Sequence, residues 1–190
     1  LLIDNKNNAK IGDELKASIE KNSKLSIISG LFSIYAYDAL KSELEKVELV
    51  RLLLSRIGAN PDNTEHLEIH LNGDDNETRL RNSLNQSKVA RECANWIANK
   101  AQVKVTQRPG AVTQTLYHTS GDSLNLAIQG SSNFTTTGLG YTESSSFDMN
   151  MGFTDTENTS ALITWFDSIW NNPAAVQEAK GLLEQQLALL

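Results

Sequence analysis

The sequence predicts a layered α/β fold, with a central mixed β-sheet flanked by helices. Three observations predict it. The first 54 positions alternate short apolar runs with stretches whose apolar residues recur every four positions, an order of strand, helix, strand, helix, strand. Two of the runs, KLSIIS at 24–29 and LVRLLL at 49–54, are compact and apolar, as buried strands are. The chain of 190 residues is 39% hydrophobic and 21% charged, enough to bury a core as one domain over 1–190.

Taken in order, Leu1, Leu2, Ile3 and Asp4 read as the end of a short strand, and Ile11, Leu15 and Ile19 mark an amphipathic helix. Gly30 stops the KLSIIS strand. Leu40, Leu44 and Val47 then share one helical face before the LVRLLL strand, an order that favours parallel pairing. Residues 55–76 are polar, punctuated by Gly58, Pro61 and Gly73. Within them His66, Glu68 and His70 alternate with Leu67, Ile69 and Leu71, which puts the three polar side chains on one face of a strand. That is a metal-ligand pattern, but no further His or Cys lies nearby, and the solvent face of an edge strand or hairpin arm is the simpler reading.

A helix is expected from Asp74 or Asp75 to about Lys100, with Leu80, Leu84, Ala90, Cys93, Ala94 and Ile97 on its inner face. Arg79, Arg81, Lys88, Arg91 and Lys100 form its outer row, a solvated face in the simplest reading and a phosphate-contacting one in the other. Val103 and Val105 begin a strand, Arg108, Pro109 and Gly110 turn the chain, and 112–118 is extended again. Phe147, Met149 and Met151 alternate with Asp148 and Asn150, which reads as a strand. A helix beginning at Thr159 carries Leu162, Trp165, Phe166, Ile169 and Trp170. Asn172 and Pro173 then read as cap and first residue of a last helix through Val176, Leu183 and Leu187.

Charge and cysteine usage bound the function. The net charge of −6 argues against a strongly basic nucleic-acid groove over the whole surface, although a local one is compatible with it. Cys93 is the single cysteine, so neither a disulfide framework nor a thiolate metal site is available, and a reducing, cytoplasmic location fits. The longest apolar run, near 25–31, is far short of a membrane span, and no membrane association is expected. The sequence lacks an initiator methionine and ends in an apolar run, so it reads as a piece of a longer protein.

The stretch around which these elements are organised is 127–140, AIQGSSNFTTTGLG. A short apolar run delivers Gly130, Ser131, Ser132 and Asn133, a turn of small residues. Its amides and hydroxyls can face an oxyanion and nothing bulky obstructs it.

Several segments resemble, in order, the phospholipase D-like domain of bacterial restriction nucleases and of certain prokaryotic superfamily-two helicases. They are IDN at 3–5, SGLFS at 29–33, VARECANWI at 89–97, GSSNFTTTGLG at 130–140, FDMN at 147–150 and WFDSIWNNP at 165–173. The resemblance implies a phospholipase D-like layered fold and metal-independent phosphodiester chemistry without a cofactor. In that family a His-x-Lys pair before the GSSN turn supplies the nucleophilic histidine and a charge-neutralising lysine, the asparagine of the turn binds phosphate oxygens, and two half-sites commonly face each other in a dimer.

The pair is where this sequence departs from the family. One alignment puts Thr113 at the histidine position and Thr115 at the lysine position, and neither can do that chemistry. Another makes His118 the nucleophile with Ser120 in place of lysine, which still loses the charge. Gly130, Ser131, Ser132 and Asn133 remain as a phosphate turn, and Asp148 stands where the family commonly has an acidic residue. The expectation is therefore a catalytically inactive nuclease-like module that binds DNA or another nucleic acid, or dimerises, within a larger helicase or defence protein. The alternatives are an active phosphodiesterase using His118, and a protein-interaction or sensing domain in which the old site is scaffold.

Overall fold

The computed structural model describes residues 1–55 and 83–190. His66, Glu68 and His70, the helix start at Asp74 or Asp75, and Arg79, Leu80 and Arg81 lie outside the described residues, as does the side chain of Leu84.

Eight strands form one mixed sheet: β1 Leu2–Ile3, β2 Lys24–Ser29, β3 Leu49–Leu54, β4 Ala101–Thr106, β5 Thr115–Ser120, β6 Asn125–Gly130, β7 Asn150–Phe153 and β8 Val176–Glu178. The helices among the described residues are α1 Ile11–Ser18, α2 Ile34–Leu44, α3 Ser83–Lys100, α4 Thr156–Trp170 and α5 Lys180–Ala188. The spatial order is β1-β7-β6-β5-β2-β3-β4-β8. β2, β3 and β4 run parallel, as the alternating order of strands and helices requires, and the remaining pairings are antiparallel.

Strand alternation divides the core. Leu25 and Ile27 of β2, Val50 and Leu52 of β3, Val103 and Val105 of β4 and Tyr117 of β5 face the large cluster completed by α1, α2, α3 and α5. Ile28, Leu53 and Leu116 point the other way and meet Phe166 and Trp170 of α4. The aromatic residues of α4 are thus mainly core, although Trp165 stays exposed. Beside them Arg51 bonds Asp167 at 2.6 Å and Ser26 at 3.2 Å, with its guanidinium over the Phe166 ring at 4.7 Å.

Four elements depart from the sequence expectation. α2 covers Ile34–Leu44, so Leu40 and Leu44 share its buried face while Val47 lies beyond its end. α4 begins at Thr156, ahead of Thr159, because Asp155 caps it and accepts the amide of Asn158 at 2.9 Å. The segment after Pro173 does not start a helix. The free edge of β4 recruits it as β8, with Thr106 paired to Val176 and Lys104 to Glu178, and α5 starts only at Lys180. In the last case the strand expected from the alternation at 147–151 begins only at Asn150: Phe147 and Met149 precede β7 and are exposed, Met151 faces outward, and Asn150 is buried.

Of the basic row on α3, Lys88 and Arg91 are exposed. Lys100 is used internally, donating to the carbonyls of Glu45 and Val47 beyond the end of α2. No helix among the described residues is long and apolar enough to cross a membrane.

Candidate phosphate-turn site

Antiparallel pairing of β5 with β6 sets Thr115 opposite Gly130, so the turn that follows β6 lies beside the start of β5. β2 ends on the same side. Ser29 accepts the amide of Phe134 at 2.9 Å, and Asn133 Oδ1 accepts the amide of Gly30 at 2.9 Å. The rings of Phe32 and Phe134 stack at 5.3 Å where the two segments form an isolated parallel bridge. The SGLFS and GSSNF stretches are thereby two halves of one structure.

The turn is braced from below by two asparagines. Asn150 Oδ1 accepts the amides of Ser131 at 3.0 Å and Ser132 at 3.3 Å, while its Nδ2 donates to Ser132 Oγ and to the carbonyl of Ile3. Asn5, held at φ 60°, donates to Ser132 Oγ and to the carbonyl of Gly138, and it accepts the amide of Ile11. Asparagine tolerates this left-handed backbone better than other non-glycine residues. Glycine is required at two places. A Cβ on Gly130 would collide with the Asn150 side chain, and one on Gly138 with the Asn133 carbonyl.

These bonds change what the turn can offer an anion. The sequence pointed to its amides as oxyanion donors, but those of Ser131 and Ser132 are engaged by Asn150. Ser132 itself is buried and doubly bonded through its hydroxyl. Ser131 is exposed and Asn133 is partly buried, so an incoming oxyanion would meet the Ser131 hydroxyl and the Asn133 amide nitrogen.

Thr113 and Thr115, the positions aligned with the histidine and lysine, differ in setting. Thr113 is exposed and precedes the strand. Thr115 is 7% exposed, and its buried hydroxyl has no hydrogen-bond partner among the described residues. His118 is remote in orientation. Tyr117 and His118 leave β5 on opposite faces: Tyr117 donates to the carbonyl of Ser132 at 2.7 Å, whereas His118 Nε2 lies 3.1 Å from the carbonyl of Thr159 in α4. Burial lowers the His118 pKa, and the Arg51 charge adds to this. The Thr159 contact and Asp167 oppose it without reversing it. The imidazole is therefore held neutral under α4, away from the turn.

Asp148 is partly buried. Burial first, and the Asp148 charge second, push the Tyr117 hydroxyl upward, so it serves as a donor to Ser132. Cys93 is buried and its thiol is likewise raised by burial, leaving no accessible thiolate. Among the described residues no group of three or more His, Cys, Asp or Glu side chains is placed to hold a metal.

Sequence reasoning assigned no role to Asn5, Ser29, Tyr117 or Asn150. The signal for three of them was present, because IDN, SGLFS and FDMN are among the segments that carry the family resemblance. What those segments share is contact with the turn. No protein-family model matches the chain, and no curated protein matches it either.

Proposed function

We propose that this chain is a phospholipase D-like module that keeps a phosphate-binding turn and has lost phosphodiester cleavage. Its role would be to bind nucleic acid, and to pair with a second copy, inside a larger cytoplasmic helicase or defence protein. The observation that supports this best is the separation of the needed groups. A threonine hydroxyl occupies the place beside the turn, and the neighbouring imidazole is on the opposite face of the sheet, bonded to Thr159. A nucleophile must reach phosphorus within hydrogen-bond distance of the groups that stabilise the oxyanion. Losing one such electrostatic partner alone costs ~10²–10³ in rate.

Binding needs less. The Ser131 hydroxyl and the Asn133 amide can donate to a phosphodiester oxygen without any proton transfer. Fluorescence anisotropy with labelled single- and double-stranded DNA at low salt tests the reading. Binding that weakens in Ser131→Ala/Asn133→Ala, with no cleavage in EDTA, is the expected result. Absence of binding to either DNA, together with a monomer in sedimentation, would overturn it. Cleavage in EDTA that disappears in His118→Ala would establish the active alternative in its place.

A further inference from the structure

The segment before β7 leaves a feature that packing does not explain. Phe147 is 95% exposed, and Lys6 Nζ lies 4.6 Å from its ring centroid. Next to it, between the loop at 4–10 and the loop at 137–148, is a cleft of about 380 Å³. Lys6, Lys10, Thr137, Tyr141, Glu143 and Asp148 are among its walls.

Three properties of the cleft point to one class of ligand. Among the described residues neither Lys6 nor Lys10 is paired with a carboxylate, so both ammonium groups are free of ion pairs, that of Lys6 lying over the Phe147 ring. Asp4, a third acid in the lining, is already engaged by the amides of Lys6 and Asn8 and by Asn8 Nδ2. Its carboxyl is accordingly held below the usual range by these bonds. The Thr137 hydroxyl is buried without a partner in the same wall.

We propose that this cleft binds a nucleotide, with its base stacked on Phe147 and its phosphate between Lys6 and Lys10. Glu143 and Asp148 accept from the sugar hydroxyls or an exocyclic amine. A bare polyanion is disfavoured by these two carboxylates and by the ionised Asp4, whereas a nucleotide carries both the anion and the donors that such a mixed lining requires. The volume is in the range of small-molecule sites, and an exposed ring beside cations is the usual platform for an unpaired base. Asn5 lines the cleft and bonds Ser132, so the cleft and the phosphate turn share one brace. The inference rests on reading the chain as a nucleic-acid-binding module and adds a subsite to it. The nucleotide is either free or part of a single strand.

The test titrates the folded chain with AMP, with sodium phosphate and with a short fluorescein-labelled oligodeoxyadenylate, whose bases carry the same exocyclic amine as AMP. The variants are Phe147→Ala, Lys6→Gln/Lys10→Gln and Ser131→Ala/Asn133→Ala, each checked for an unchanged melting temperature. Phe147→Ala is expected to weaken AMP and the oligonucleotide about tenfold, the size of one base–aromatic stack, with little effect on phosphate. The double lysine variant is expected to weaken all three. AMP binding at least as tight as the oligonucleotide identifies a free nucleotide, and a much tighter oligonucleotide identifies a strand. Unchanged binding of both ligands in both cleft variants overturns the inference. If the oligonucleotide then responds only to the turn variant, the module reading stands without this subsite. Cleft-dependent AMP binding without oligonucleotide binding keeps the subsite as a free-nucleotide site and leaves the module reading to the double-stranded DNA and sedimentation tests, and no binding by any ligand removes the subsite.

Discussion

Asn150 grips Ser132 at both ends. Its Nδ2 donates to Ser132 Oγ at 2.9 Å, and its Oδ1 accepts the Ser132 amide at 3.3 Å. Together with the Ser131 amide and the Ile3 carbonyl, four polar groups of the turn and of β1 depend on one buried side chain. Buried groups that lose their partner cost the full desolvation penalty. Asn150→Ala should therefore lower stability by about 3 kcal/mol, measured as the shift in urea unfolding free energy. Gly130→Ala should also be destabilising, because its methyl group would occupy the position of the Asn150 amide. A neutral Asn150→Ala would mean that Asn5, Ser29 and Tyr117 suffice to hold the turn.

The inward position of Asn150 also marks the limit of what was readable in the sequence. Alternation at 147–151 pointed to a strand, of which only Asn150 and Met151 fall in β7, and periodicity alone does not say which face is inside. The apolar set would normally be buried. Here the turn needs an amide beneath it more than the core needs another methionine. The parallel strands were readable because 24–29 and 49–54 are apolar on both faces and bounded by turns. β8 was not, because Val176, Gln177 and Glu178 carry no strand pattern, and the vacant edge of β4 makes them a strand. At the candidate site the residue types were visible, while the facing of His118 was not. It follows from the register of β5, in which Tyr117 takes the turn side.

His118 gives the molecule a pH-dependent stability whose sign is fixed by its burial. The folded-state pKa is lowered from 6.5, so between that value and the folded pKa the unfolded chain binds a proton that the folded chain refuses. The stabilisation is fully present above about pH 6.5 and is lost as pH falls through the window below it. Asp4, Glu20 and Asp155, whose pKa values are lowered by hydrogen bonds, add losses at more acidic pH. Urea midpoints at pH 8 and pH 5.5 should differ more for the wild type than for His118→Gln. Equal differences would show that His118 takes up a proton without cost.

Arg51 anchors α4 from the sheet. It bonds Asp167 and Ser26 and lies over Phe166, with Trp170 at 5.8 Å. Because Asp167 is 43% exposed, removing its charge should cost only about 0.5–1 kcal/mol. Arg51→Ala also removes the packing of the stem and guanidinium against the rings, and should cost about 2 kcal/mol. Thermal unfolding of the two variants checks the order. A larger loss in Asp167→Asn than in Arg51→Ala would make the ion pair, and not the stacking, the main contact.

The proposed ancestry makes its own prediction at Thr113 and Thr115. If these positions held a nucleophile and a charge clamp, restoring them should restore some chemistry, because the turn and its braces are still in place. Thr115 lies opposite Gly130 with an unpartnered hydroxyl, so a lysine there would start next to the turn, at some cost in stability because the site is buried. Thr113 is exposed, and a histidine there should be tolerated. The double variant Thr113→His/Thr115→Lys should hydrolyse bis(p-nitrophenyl) phosphate in EDTA above the wild-type background. Each single variant should remain inert, since nucleophile and charge clamp act as a unit. Adding Asn133→Ala should remove the gain, because the amide proposed to steady the phosphoryl oxygens is lost. A double variant that folds, melts normally and stays at background would count against the phospholipase D-like reading, whereas activity in Thr113→His alone would show that the clamp is supplied by another group.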